Sequence, residues 1–462
     1  MQDRHENNGN TDSWICELAP RFFTVYRFAG FLFRMASRFC CGQLFGANVR
    51  QAASAMRKRR LLLAAGGAAI LGGCGFSIEH GLSNPCRGRL PRELANGEAV
   101  QAAWEGVDPT RVWDCHAHLV GTGDSGSGIW LNPGMLSITS PAQYAQRLFF
   151  LNAGCVHDAP GSVDLSYVER MHNLLDGMRP GAKLVLLAFD RHYAETGEPA
   201  PAETAFYVPN EYAMAVARRH PRYFEWAASI HPYRHDCLEA LHQAKSGGAV
   251  AVKWLPAAMG MDPSSPRCDA FYAELGKLDL PLISHAGLER AVRVADRQHL
   301  GNPLLLRRAL EHGVRVVVAH CASIGEDRDL DRGRNGPYVE SFTLFARLMD
   351  EARHGKTLLY GDLSAITQHN RAGPALATLL ERSDWHPRLL NGSDYPLPGI
   401  MPLYSMSRLA ELGFIAPNLA PALTAIREHN PLLFDFVLKR HLRSGEKSFS
   451  KVVFETRPFF AG

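Results

Sequence analysis

Eight short apolar runs recur between residues 111 and 394, and segments of helical periodicity separate most of them. The runs are 111–118 (RVWDCHAH), 183–189 (KLVLLAF), 224–231 (FEWAASIH) and 249–255 (AVAVKWL), then 281–286 (PLISHA), 314–320 (VRVVVAH), 357–364 (TLLYGDLS) and 388–394 (RLLNGSD). They are almost continuously hydrophobic rather than alternating. That is the pattern of strands buried on both faces, as in a parallel sheet covered by helices. The intervening stretches 210–220, 236–246, 268–278, 303–312, 338–353 and 374–382 carry apolar residues at 3.6-residue spacing. Eight strands alternating with helices predict a closed parallel (β/α)8 barrel. An open doubly wound sheet is the competing solution, but no Gly-rich phosphate loop follows the first run. The first crossover, 119–182, is unusually long and has room for two helices, near 140–153 and 164–179. It opens on GTGDSGSG (121–128), read here as a connector in preference to a mobile lid.

The chain has 462 residues, 46% of them hydrophobic and 21% charged, a balance suited to a large folded domain rather than a disordered chain. The net charge of +4 is unevenly placed. The first 60 residues hold ten Lys/Arg against four Asp/Glu, so the remainder is slightly acidic. The basic excess therefore gives the folded part no electrostatic footprint for nucleic acid. Ten cysteines, at 16, 40, 41, 74, 86, 115, 155, 237, 268 and 321, form no CxxC pair. A domain of this size does not depend on disulfides, so most are expected as buried free thiols. Cys86 is a candidate for pairing with a partner that the sequence does not identify.

From Met56 the chain reads MRKRRLLLAAGGAAILGGC. Four basic residues, Arg57 to Arg60, precede a thirteen-residue uncharged run, Leu61 to Gly73, the composition of a secretory signal. A spanning helix needs about 20 residues. Leu71-Gly72-Gly73-Cys74 resembles a bacterial lipobox, which implies export and a membrane-anchored lipoprotein lipidated at Cys74. Arg59-Arg60 followed by three leucines loosely resembles a twin-arginine signal. A plain inner-membrane anchor is the alternative. Residues 1–55 are read as a segment not normally made, with translation starting at Met56, or alternatively as a disordered extension; 56–74 are read as the signal, 75–110 as a linker, 111–440 as the barrel and 441–462 as a tail.

In a (β/α)8 barrel the C-terminal strand ends build the active site. Here they carry His116 and His118 on the first run, Lys253 on the fourth, His285 on the fifth, His320 on the sixth and Asp394 on the eighth. Residues two apart on a strand share a face, so both imidazoles of HxH can reach one ion. Nitrogen and oxygen donors of this kind suit a borderline divalent metal such as zinc. By the same alternation Cys115 and Cys321, beside the histidines, are expected to face away from the barrel. Asp190, Arg191, His192, His231, Arg290, Arg293, Gln368 and His369 also lie near strand ends and are read mainly as loop scaffolding, with Arg290 and Arg293 able to grip a substrate carboxylate.

HxH on strand one, Lys on strand four, His on strands five and six and Asp on strand eight resemble the amidohydrolase superfamily. The contexts DCHAHL, VKWLP, PLISHAG, VVVAHCAS and NGSDYP are most similar to the amidohydrolase-2 family of metal-dependent hydrolases. The resemblance covers about 111–440, including the helix HNPLLFDFV (429–437). It implies a metal held by His116, His118, His285 and Asp394, with Asp394 also a proton acceptor and His320 a catalytic acid/base or electrophile. Lys253 is either unmodified beside one ion, a carbamate bridging two ions, or a structural partner of Asp394 or Asp362. The implied activity is hydrolysis of an ester, lactone or amide in a small molecule. The alternative within the family is metal-dependent decarboxylation or hydration of a carboxylated, aromatic-like substrate. A surface lipoprotein that kept the fold and lost the chemistry is the third possibility, disfavoured by the full set of donors.

Overall fold

A computed structural model of the chain describes residues 84–156, 161–351 and 358–461. The extension 1–55, the signal-like segment 56–74 and Cys74 lie outside the described residues. Eight strands form one parallel sheet in sequential order: β1 Trp113–His118, β2 Lys183–Leu187, β3 Phe224–Ala228, β4 Ala251–Trp254, β5 Leu282–His285, β6 Val316–Ala319, β7 Leu359–Asp362 and β8 Leu389–Leu390. The sheet closes on itself. Cys115 N donates to Asn391 O at 3.0 Å, Asp394 N to His116 O at 2.8 Å and His118 N to Tyr395 O at 2.8 Å. Sequential order with closure is the (β/α)8 barrel that the apolar runs predict.

Alternation along the strands divides the core in two. Val185, Leu187, Ala227, Ala251, Ile283, Val317 and Leu390 form one buried cluster with Trp113 and Cys115. Leu184, Leu186, Val252, Trp254, Leu282, Val316 and Val318 belong to the other, which includes the helices. Lys253 and His285 share strand parity with Ala251 and Ile283, so the first cluster is the barrel interior, beneath the site. Cys115 lies in that interior and is a correction to the expected alternation. The β1–β2 register shifts between Asp114 and Ala117. Such a bulge lets Cys115 and His116 both turn inward. Cys321 sits in the outer cluster as expected, its thiol against the Asp362 carbonyl.

The long first crossover holds two helices, Pro141–Ala153 and Val163–Asp176. Its Gly/Ser-rich start is pinned as a connector. The buried Asp164 carboxylate accepts from Thr122 N (2.7 Å), Gly123 N (3.2 Å), Ser125 Oγ (3.0 Å) and Ser127 Oγ (2.6 Å). Asp124 reciprocates, accepting from Val163 N and Ser162 Oγ, both at 2.7 Å. Gly123, at φ +81°, has no room for a Cβ, which would lie 2.4 Å from the Ile129 carbonyl oxygen.

The stretch read as a linker carries the short helices Arg92–Ala95 and Glu98–Trp104, and Trp104 packs on Phe436 with ring centroids 4.2 Å apart. Residues 441–461, read as a tail, close the bottom of the barrel. Phe459 and Phe460 pack against the interior cluster, and Thr456 is hydrogen-bonded to Trp113 at the start of β1. Cys86, the candidate for pairing, is joined to Cys155 in a disulfide across 69 residues. Among the described residues Cys115, Cys237, Cys268 and Cys321 are free.

Candidate metal centre

The histidines of β1 and the aspartate after β8 meet because the barrel closes there. Nε2 of His116 lies 3.2 Å from Nε2 of His118 and 3.5 Å from Asp394 Oδ1, and His118 Nε2 is 3.3 Å from the same oxygen. Asp362 sits on the other side of the His116 ring, its Oδ2 2.9 Å from Nδ1. An ionised Asp362 makes Nδ1 the protonated nitrogen, which leaves the lone pair of Nε2 directed at His118 and Asp394. Lys253, fully buried, reaches the same nitrogen with Nζ at 3.1 Å.

His320 enters from the end of β6. His320, Cys321 and Ala322 have φ of 56°, 49° and 47°, three consecutive left-handed residues without a glycine. Asp394 is left-handed as well, at φ 62°. Such conformations are costly in L-residues and persist where surrounding contacts enforce them, commonly at functional sites. Here His320 N donates to Asp362 Oδ1 at 3.0 Å, and His320 Nδ1 lies 2.7 Å from Ser364 Oγ and 3.1 Å from the Ser364 carbonyl. Donor atoms of His116, His320 and Asp394 all lie within 4.8 Å of one another, a spacing suited to a single ion. His285 stacks edge-on against His320 at 5.1 Å between centroids and approaches Glu289 through Nδ1 at 3.4 Å, while its buried Nε2 has no hydrogen-bond partner.

The electrostatics favour neutral imidazoles around a carboxylate. Burial pulls the pKa of His118 down, that of His285 well down and that of His320 to about 3. Burial opposes ionisation of Asp394, yet His320, His116 and His118 hold its carboxyl well below the usual range. Burial lowers the Lys253 ammonium, against the pull of Asp362 and Asp394. Neutral imidazole nitrogens, an ionised carboxylate and an orphaned buried His285 Nε2 fit a divalent cation by donor chemistry.

All six residues picked from strand ends therefore lie at one end of the barrel, with His116, His118, His320, Asp394 and Lys253 in a continuous chain of contacts. Several neighbouring candidates are occupied elsewhere. Asp190 accepts from Arg234, Arg191 N and His231 N, and His231 bridges the Met259 carbonyl and Tyr233 N. His192 faces the Ala258 carbonyl, Arg191 stacks over Tyr207, and His369 and Arg293 are exposed. Sequence reasoning missed Ser364, Glu289 and Arg371. Asp362 entered it only as a partner for Lys253, although it too ends a strand. Arg371 donates to Ser323 Oγ at 3.0 Å and feels Asp394 and Glu289 as its main favourable charges.

Comparison with known proteins adds to this geometry. No curated protein matches the chain by sequence. Among solved structures, an uncharacterised TIM-barrel protein from Bordetella bronchiseptica is 15% identical and covers 68% of this chain and 98% of its own, at a TM-score of 0.42. A 4-oxalomesaconate hydratase from Rhodopseudomonas palustris is 14% identical (68% and 97% covered, TM-score 0.36). A 5-carboxyvanillate decarboxylase from Sphingomonas paucimobilis is 11% identical (69% and 97%, 0.37). The family model described as Amidohydrolase matches residues 113–431, from the first residue of β1 to beyond every residue of the centre. The chain belongs to this amidohydrolase family and is an enzyme of it.

Proposed function

We propose that the protein is a metal-dependent hydrolase of small-molecule esters, lactones or amides. The observation that carries this reading is the convergence of His116 Nε2, His118 Nε2 and Asp394 Oδ1 within 3.2–3.5 Å. His116, His118 and Asp394 would hold the ion, with His285 as the fourth donor and zinc as the metal suited to them. When bound, a divalent ion supplies Lewis-acid polarisation and raises the acidity of water. Asp394, ionised, accepts the proton of the attacking water and returns it to the leaving oxygen or nitrogen. His320, neutral and oriented by Ser364, is placed to hydrogen-bond the developing oxyanion. Asp362 fixes the His116 tautomer. Lys253, unmodified, supplies a positive charge beside the donors, while its carbamylated form would instead support a second ion. Decarboxylation or hydration of a carboxylated substrate is the second reading, favoured by the Arg371 guanidinium, whose charge Asp394 and Glu289 stabilise. A screen of lactones, esters and aryl carboxylates, following acid release against carbon dioxide release, separates the two readings.

The exported, Cys74-anchored location is proposed with it. The Cys86–Cys155 disulfide supports it, since such bonds persist in oxidising compartments and are rare in the cytosol. Among the described residues no helix is long and apolar enough to cross a membrane. Cys74→Ser should release the protein from the membrane fraction, and a wild-type chain found soluble in the cytoplasm would end this reading.

A further inference from the structure

We propose that the segment 133–153, at the mouth of the barrel, is the face by which the protein rests on a bilayer surface. The proposal builds on the lipid-anchored location above.

The first observation is charge. Residues 125–156 carry one Asp, Glu, Lys or Arg, namely Arg147, where the chain average of 21% would place about seven. The segment is nevertheless partly at the surface. Leu136 is 55% exposed, Ile138 76% and Leu148 39%, three of the seven large apolar side chains that the described residues expose. Helix Pro133–Leu136 packs against helix Pro141–Ala153, so all three belong to one compact hairpin. Exposed aliphatic side chains grouped on one surface mark contact sites for proteins or membranes, and a surface nearly free of charge has little to desolvate in such a contact.

The second observation is how Asn84 and Cys86 are tied to this hairpin. Asn84 N donates to Asn152 Oδ1 at 2.8 Å, and Cys86 is bonded to Cys155 two residues past the helix. Leu148 and Asn152 are four apart on that helix and share a face. The chain leading back to Cys74 therefore starts one helical turn from an exposed leucine. Nine residues lie between Cys74 and Asn84, a reach of at most about 35 Å. A lipid at Cys74 lies within that reach of the Asn84 end of the hairpin.

The third observation gives the direction. The Gln146 side chain donates to the carbonyl of Ala291, in the loop after β5, and the helix end at Ala153 lies against Gly399, after β8. The hairpin thus stands at the C-terminal end of the barrel, the end that carries the metal centre, and that end faces the lipid.

The test uses the full-length protein in liposomes of phosphatidylethanolamine and phosphatidylglycerol. A nitroxide is attached through a genetically encoded ketone residue at Ile138, at Leu148 or, as a control elsewhere, at Val452, which is 42% exposed. Collision with an aqueous nickel complex should be about fivefold or more lower at 138 and 148 than at 452, with the reverse order for oxygen, which concentrates in lipid. Flotation with the liposomes but equal nickel access at all three positions overturns the proposal and leaves the anchor standing. Failure to float overturns the anchor and the proposal together. Protection that persists without lipid and rises with protein concentration assigns the hairpin to a second copy of the chain and also overturns it. Metal content and turnover are read separately on the same samples.

Discussion

Asp362 Oδ2 lies 2.9 Å from Nδ1 of His116, and through that contact a residue of β7 sets which nitrogen of a β1 histidine faces the metal centre. The same carboxylate accepts from the backbone N–H of His320 and of Ser364 through Oδ1. One buried acid thus orients two histidines. Asp362→Asn should fold and retain the barrel but bind the metal about 10–100-fold more weakly, the usual effect of losing a carboxylate behind a histidine ligand. Competition with a chelator measures it, and unchanged affinity would remove Asp362 from the site.

Asp164→Ala removes the acceptor of five loop donors in a buried position. The uncompensated N–H and O–H groups should cost about 2–4 kcal/mol. Limited proteolysis should then cut within 121–128, where the wild type resists. A loop that stays protected in the variant would show that Asp124 alone holds it.

Breaking the Cys86–Cys155 disulfide, which spans 69 residues, should destabilise the fold by about 4 kcal/mol on chain-entropy grounds. Thermal melts of Cys155→Ser, or of the wild type with reductant, measure this, and an unchanged melt would mean that the pair is not oxidised in solution.

The barrel was legible because parallel strands buried on both faces leave nearly unbroken apolar runs, and the candidate donors were legible because they stand at the ends of those runs. Asp362 shows the limit of the method. It stands two residues before the end of the seventh run, as Asp394 ends the eighth, but nothing in GDLS tells a carboxylate that could face a metal from one that supports a histidine. Arg371 and Glu289 stand in irregular loops, where no periodicity says which way a side chain points. The inward turn of Cys115 depends on a bulge, which strict alternation cannot foresee. The pairing of Cys86 with Cys155 and the docking of Phe459 and Phe460 beneath the barrel are contacts between distant segments, set by the closed fold rather than by local pattern.

His231 offers a pH test away from the metal. Its Nε2 donates to the Met259 carbonyl at 2.9 Å and its Nδ1 accepts from Tyr233 N at 3.1 Å, so the fold holds the neutral ring. Burial lowers its pKa to about 3, against about 6.5 in the unfolded chain. The unfolded state binds the proton first as pH falls. The contribution is therefore intact above about pH 6.5 and is lost progressively toward pH 3, at up to about 1.4 kcal/mol per pH unit. Denaturant unfolding of His231→Gln should show a shallower loss between pH 6 and 4. An identical slope would mean that His231 is already charged in the folded protein.

The central claim is that the strand ends form a metal site. Metal analysis of the purified protein, beside His116→Ala, tests it most directly. The account predicts about one tightly bound divalent ion per chain in the wild type and an empty site in a folded variant. Two ions per chain would contradict the single-ion site and point to carbamylated Lys253. A wild type without stoichiometric metal, or a variant that keeps its ion, would contradict the site itself.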